Sequence, residues 1–418
     1  MARHSGRAES AGWLMTIKQG EAFRALRNRD YRLLWIGQLG HSAALWVETV
    51  ARSWLIWELT GSATLLATVN LLRAIPMLIL GLLAGVAADR FDKRKLLIVT
   101  KSVTLTNYLI MATLITTGAV QVWHVLVSAF VMGSSMAFEQ PTRTSLVPSL
   151  VGKDELTNAV ALNSAAMNIT RVAGPAAAGL LIAPLGVGGV YYISAGVYIG
   201  TLIATIMMRV PPTRARAMET SAWADLAEGF RYVYREKTIL VLMILALIPM
   251  VFGMPYMTLM PIFADRILNI GASGLGWLYS SSGVGALLAV FAIASLGRVN
   301  RKGLLAVIGI FAFGAFLMVF SQSVWVPLSI AMMVLIGFAG TVFRVLINTS
   351  LLETSPPELH GRVMAFYTLD RGLVPLGTMT VGPLADVIGA PLAELIMGGI
   401  CALLAVSVGI GVRIVRRI

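Results

Sequence analysis

Gly85-Val86-Ala87-Ala88-Asp89-Arg90-Phe91-Asp92-Lys93-Arg94-Lys95 puts six charges into its last seven residues and stands between two long apolar runs. Such a cluster reads as the turn between two membrane-crossing helices, because a crossing needs roughly 20 apolar residues and the charges mark where the chain leaves the lipid. The rest of the chain agrees. Hydrophobic residues make up 57% of the 418 positions and charged residues 13%, far from the balance of a soluble domain. The apolar runs lack the two-residue alternation of a membrane β-barrel.

The expected fold is an all-α polytopic membrane protein with twelve transmembrane helices. The spans cover 33–58, 63–88, 96–118, 123–147, 156–184, 188–208, 239–264, 273–297, 303–322, 326–352, 362–386 and 391–412. Residues 1–32 hold seven Lys or Arg and no apolar stretch suited to a cleaved signal, so a retained cytoplasmic tail is expected. The formal net charge of +13 suits nucleic acid in principle, but its placement decides otherwise. With the N-terminus inside, Lys and Arg gather at 90–101, 209–237, 298–302 and 413–417, with Lys153 and Arg362, and the outer loops carry only Arg266. This predicts an inner-membrane protein with both termini cytoplasmic and its basic rim on anionic lipid, and no nucleic-acid partner.

An offset of 208 residues lays Arg90, Lys93, Arg94, Leu96 and Leu97 on Arg298, Arg301, Lys302, Leu304 and Leu305, and the same offset lays Gly174-Pro175 on Gly382-Pro383. Two matches at one offset predict two parallel six-helix halves, 33–208 and 239–412, joined by a cytoplasmic connector at 209–238 and followed by a tail at 413–418. In the connector Trp223, Leu226, Phe230, Val233 and Tyr234 recur at helical spacing, which predicts an amphipathic surface helix.

These residues resemble the major facilitator superfamily. Gly85-x-x-x-Asp89-Arg90-x-Asp92-Lys93-Arg94 is similar to that family's motif between its second and third helices, with Asp92 where the family prefers glycine. Three further stretches resemble its enterobactin-exporter and macrolide-efflux branch: Phe23 to Trp35, Pro141-Thr142-Arg143 through Asp154-Glu155-Leu156, and Glu358-Leu-His-Gly361-Arg362. The resemblance implies a latch in which Gly85, Asp89 and Arg90 meet Gly361 and Arg362 and close the cytoplasmic side. Gly297 stands where Asp89 would recur, so the latch is expected on one side only. Gly174-Pro175-x-x-x-Gly179 looks like a reduced exporter motif, and Gly174, Pro175, Gly382 and Pro383 are expected to bend their helices or pack them tightly.

A charge at bilayer depth costs at least about 2.5 kcal/mol and needs a partner or a cavity. Glu48, Arg52, Arg73, Glu139, Arg171, Asp370 and Arg371 are the candidates for a substrate and proton cavity. Glu48–Arg52 and Glu139–Arg143 have the i, i+4 spacing of self-neutralising pairs, whereas Arg143 and Arg344 lie near span ends where they can snorkel. Arginine stays protonated, so an exchanging proton would ride on a carboxyl group. Glu48 is preferred, with Asp370 second.

The expectation is a secondary active transporter that exports a small organic molecule, siderophore-, macrolide- or drug-like, by alternating access and proton antiport. It is expected to work as a monomer without a cofactor or metal. One cysteine and four scattered histidines show no metal spacing, and no Walker loop, His-Glu-x-x-His or Gly-x-Ser-x-Gly motif occurs. A transporter-derived sensor or scaffold is the rival reading. A lipid-modifying enzyme would need an acid/base constellation that the sequence does not display.

Overall fold

In the computed structural model, residues 23–210, 231–296 and 301–412 are described, apart from a few side chains that include those of Asp89, Asp370 and Arg371. The N-terminal tail, most of the expected connector helix, Gly297, Arg298 and the last six residues lie outside the described residues. The described chain is helical throughout, without a strand. Nine of its helical segments are long and apolar enough to cross a membrane.

The helices are α1 (Arg29–Thr60), α2 (Ala63–Arg90), α3 (Lys93–Thr116), α4 (Val122–Leu150) and α5 (Leu156–Met207), then α6 (Lys237–Ile248), α7 (Tyr256–Ile262), α8 (Gly271–Leu296), α9 (Lys302–Ser321), α10 (Val326–Thr354), α11 (His360–Leu369), α12 (Val374–Ile388) and α13 (Ala390–Gly411). At 52 residues α5 is far longer than one crossing. It breaks at Gly186, where φ is +66°, a conformation glycine adopts without a Cβ penalty. Between α6 and α7 the chain passes through a π-helical turn at Pro249–Gly253, and a second follows at Phe263–Ile267. Prolines 249, 255 and 261 remove backbone donors here, which accounts for the interrupted ladder. A 3-10 turn at Asp370–Leu373 separates α11 from α12.

Local chemistry fixes the helix ends. Asn28 caps α1 by accepting from the Asp30 and Tyr31 N–H groups. The departure from the family motif has a physical reason, since the Asp92 carboxylate caps α3 by accepting from Lys95 N. Lys93 donates to the Ser145 carbonyl at 3.1 Å, and Arg94 donates to the Thr205 and Ile206 carbonyls that end α5. Cations on the last carbonyls of a helix are the favourable arrangement. Thus the basic cluster also fastens α3 to α4 and α5.

Helices α1–α5 pack mainly among themselves, α1 on α5 and α2 on α4, while α8–α10 and α9–α13 form the main contacts of the second group. The two groups meet along α5 with α8 and along α2 with α12. One end of the molecule holds the α1–α2 and α12–α13 turns, and the opposite, basic end holds Asp89 to Lys95.

Candidate functional site

Hydrogen bonds between the two groups gather at mid-depth and towards the α1–α2 end. Ser280 Oγ donates to Val172 O at 2.7 Å, Asn70 Nδ2 to Thr258 Oγ1 at 3.1 Å, and Ser273 Oγ to Gly179 O at 2.9 Å. At the end itself Trp57 Nε1 donates to Asp265 Oδ2 at 2.9 Å, and the Arg266 guanidinium lies 4.6 Å from the Trp57 ring. Asp386 is the strongest clamp. Its carboxylate accepts from Ala63 N at 2.7 Å, Thr64 N at 2.9 Å and Ser62 Oγ at 2.9 Å, so an acid from α12 covers the positive end of α2.

The glycine–proline pairs belong to this closed end. A Cβ on Gly382 would come within 2.7 Å of the Ala67 Cβ and 2.8 Å of the Ala63 carbonyl. A Cβ on Gly276 would meet the Pro175 carbonyl and stand 2.9 Å from the Gly179 Cα, so α5 and α8 touch backbone to backbone. Gly174 takes Trp46 of α1, whose Cβ would be 2.7 Å away. The only non-helical residue inside α5 is Gly186, so Pro175 sits in a continuous helix and its surroundings are those of close packing.

Gly85 and Gly361 lie towards the basic end. No heavy atom lies within 4 Å of where a Cβ would stand on Gly85 or on Gly361, and Arg90 is exposed. The expected close packing at Gly85 is therefore absent in this conformation. Between the groups is a cavity of about 270 Å³ lined by Asn168 and Arg171 of α5, Thr341, Arg344, Asn348 and Thr349 of α10, and Tyr367 of α11. Arg344 Nε donates to Gly340 O at 2.8 Å. Arg171 makes no ion pair among the described residues.

The other candidates form two buried knots inside the first group. Glu48, 1% exposed, accepts from Arg52 Nε at 2.8 Å and from Arg73 Nη1 at 2.7 Å, which brings three of the sequence candidates together. Arg52 Nη1 goes on to Asn70 Oδ1 at 3.2 Å, and Asn70 reaches Thr258, so this knot is wired to the second group. Glu139 departs from expectation. Its carboxylate lies 3.2 Å from Lys101 Nζ and 3.2 Å from His41 Nδ1, and no ion pair joins it to Arg143. Tyr198 OH completes the cluster, 2.6 Å from His41 Nδ1 and 3.3 Å from Glu139 Oε2. Four helices supply these side chains, and a tertiary partner outcompetes the i, i+4 one because a fully buried carboxylate needs charge on more than one side.

Lys101 was grouped with the loop cations on charge count alone, although it is buried inside α3. Its depth, five residues past the start of the 96–118 span, is the signal that could have found it. Asp386 and Glu394 also escaped sequence reasoning. The first lies at a span end where acids draw no notice, and the second carries no motif. The side chains of Asp370 and Arg371 lie outside the described residues, and no cluster of metal-ligand type occurs among the described ones.

The fold and its buried charges define a polytopic helical membrane protein with a central polar cavity. A model of the family described as "Transmembrane secretion effector", a branch of the major facilitator superfamily, matches residues 20–417, and the chain belongs to that family. Its relatives include the Staphyloferrin A transporter of Staphylococcus aureus (strain NCTC 8325 / PS 47), 27% identical over 84% of this chain and 89% of the relative. The Multidrug efflux pump Tap of Mycolicibacterium fortuitum is 25% identical, over 82% of this chain and 86% of the relative. Among solved structures, a bacterial homologue of the human lysosomal transporter Spinster in an inward-facing and occupied conformation superposes with a TM-score of 0.75 at 13% identity, covering 94% of this chain and 97% of that one. The likeness bears on fold. The family assignment makes the chain a multi-pass membrane transporter of the major facilitator superfamily, whose relatives include proteins named as siderophore transporters and efflux pumps.

Proposed function

We propose that this protein exports a small organic molecule of siderophore-, macrolide- or drug-like size across the inner membrane, by alternating access of two six-helix halves that make twelve crossings. The observation that carries this reading is the asymmetry of the cavity: clamps close the α1–α2 end, and the Gly85 and Gly361 surroundings are empty at the other. The basic end is the cytoplasmic one, with both chain termini, because positive residues stay inside. The conformation described is thus inward-facing. Relatives named as transporters and pumps favour transport over sensing.

Arg171 and Arg344 line the cavity and suit a polar or anionic group on the substrate. Coupling to protons runs through a carboxyl group that loses its partners as the halves move. Glu48 serves if the Arg52–Asn70–Thr258 chain draws one guanidinium away from it, and Asp370 is the second candidate. The protein acts as a monomer in contact with anionic lipid.

The test measures accumulation of a siderophore and antibiotic panel in cells with and without the protein, with and without a protonophore. Lower accumulation that the protonophore abolishes is expected. Unchanged accumulation across the panel would argue against export of these classes. Glu48→Gln and Asp370→Asn should lower proton-driven efflux in vesicles, and full activity in both would remove them as proton carriers.

A further inference from the structure

Glu394 lies four residues into α13, near the clamped end, and is completely buried. Neither of its carboxyl oxygens has a hydrogen-bond partner among the described residues. The two other buried acids among the described residues, Glu48 and Glu139, each have cations within 3.2 Å, so Glu394 stands apart from them. An ionised carboxylate taken out of water without a counter-charge or donor is strongly disfavoured, whereas the neutral acid is tolerated there.

Its surroundings give this a mechanical meaning. Helix α13 packs on α9, α12, α6, α7 and the π-helical turn Pro249–Gly253. The ionisable groups those elements carry are few. Lys237 and Lys302 begin α6 and α9 at the distant basic end, Asp386 is committed to the end of α2, and Tyr256 donates to or accepts from Ser282 Oγ at 3.2 Å. Cys401 is the remaining one on α13 itself. No described cation is therefore positioned to neutralise Glu394. The adjoining turn is a break in the ladder that can be re-registered without unfolding a helix.

We propose that Glu394 is a proton-binding site linked to the Pro249–Gly253 turn: it holds a proton while the clamped end is shut and gives it up to water when that end opens. The proton leaves as the turn shifts and the carboxylate becomes hydrated. On return the same group must be reprotonated before the end can close. Only the transport arm of the test rests on the proton-coupled reading above.

The experiment uses the full chain in nanodiscs and in cells. Infrared difference spectra of wild type against Glu394→Gln should show a protonated-carboxyl carbonyl band near neutral pH that the variant lacks. A Ser280→Cys reporter, with Cys401→Ala removing the native thiol, should be labelled by an impermeant maleimide increasingly as external pH rises, beyond the rise that thiol ionisation alone gives in the unfolded chain, and this excess should vanish in Glu394→Gln. Glu394→Met provides a second neutral variant, which should fold because no polar partner is orphaned. Absence of the band, or a pH response of labelling in both variants equal to that of wild type, overturns the proposal. Band and linked labelling in a protein whose efflux ignores a protonophore would uphold the proton site while removing proton antiport. Loss of pH-driven uptake in Glu394→Gln vesicles, with substrate exchange retained, supports both.

Discussion

Helix α2 runs the length of the molecule, and its two ends are held in opposite ways. At Ser62 the first turn is covered by Asp386 with three hydrogen bonds, and Trp57, Asp265 and Arg266 brace the same rim. Near Arg90 the last turn carries the family motif, yet no neighbouring helix comes within 4 Å of a Cβ built on Gly85, or on Gly361, the glycine the resemblance pairs with it. The difference teaches how such a chain can alternate. The closed end uses backbone donors that are always present and a carboxylate brought to them by the other group. On the proposed alternating-access reading, the motif at the other end acts when the groups tilt the other way.

The comparison can be broken most severely at Gly276. Its Cβ would land on backbone atoms of Pro175 and Gly179, which cannot yield as a flexible side chain would. Gly276→Val should disfavour the clamped conformation by about 1–3 kcal/mol, the range for overpacking, and towards its upper end because the clash is with backbone. Labelling of the Ser280→Cys reporter from outside should rise steeply while the melting temperature of the separate halves' packing falls little. Unchanged labelling would mean that α5 and α8 do not part. Asp386→Ala comes next, at roughly 1–2 kcal/mol, since a cap and a favourable helix-end charge are lost together but the site is exposed and screened. The same reporter should respond, and high salt should shrink the difference between variant and wild type. Trp57→Phe removes one hydrogen bond to Asp265 and keeps a ring under Arg266, so about 0.5–1.5 kcal/mol is expected. A response as large as that of Asp386→Ala would show that the brace, not the helix cap, holds the end.

Much of this contrast was legible in the sequence. Apolar spans give helices that cross a membrane because lipid leaves the backbone no other partner, and the single offset of 208 residues picked out Gly174 and Gly382, both of which meet a neighbouring helix closely. Glu48–Arg52 was readable because its spacing is local. The second arginine on Glu48, the Lys101–His41–Tyr198 surroundings of Glu139 and the Asp386 cap were not, because each joins side chains from separate helices and sequence spacing says nothing about which faces meet. Glu394 was missed for the converse reason: what marks it is the lack of any partner, and a lack has no pattern.

The smallest expected effect is at the motif itself. Asp89→Asn removes a charge that, by the resemblance, meets the start of α11 only when the basic end is shut. A single carboxylate at a helix end is worth about 0.3–1 kcal/mol. The resemblance gives Asp89 its role in the opposite conformation, so the melting temperature of the clamped one should equal that of wild type. The loss falls on the opposite conformation. Cytoplasmic labelling of a Thr349→Cys reporter in the cavity wall, with Cys401→Ala, should therefore rise by a few-fold at most, and equal labelling would count against the latch. The double variant Asp89→Asn with Asp386→Ala sharpens the point. The two act at opposite ends of α2, far apart, so their effects should add. Because one weakens each conformation, the pair should sit nearer the wild-type distribution than Asp386→Ala alone. If the double variant instead matches Asp386→Ala, the motif contributes nothing to closure, and the basic end must close on contacts other than Asp89.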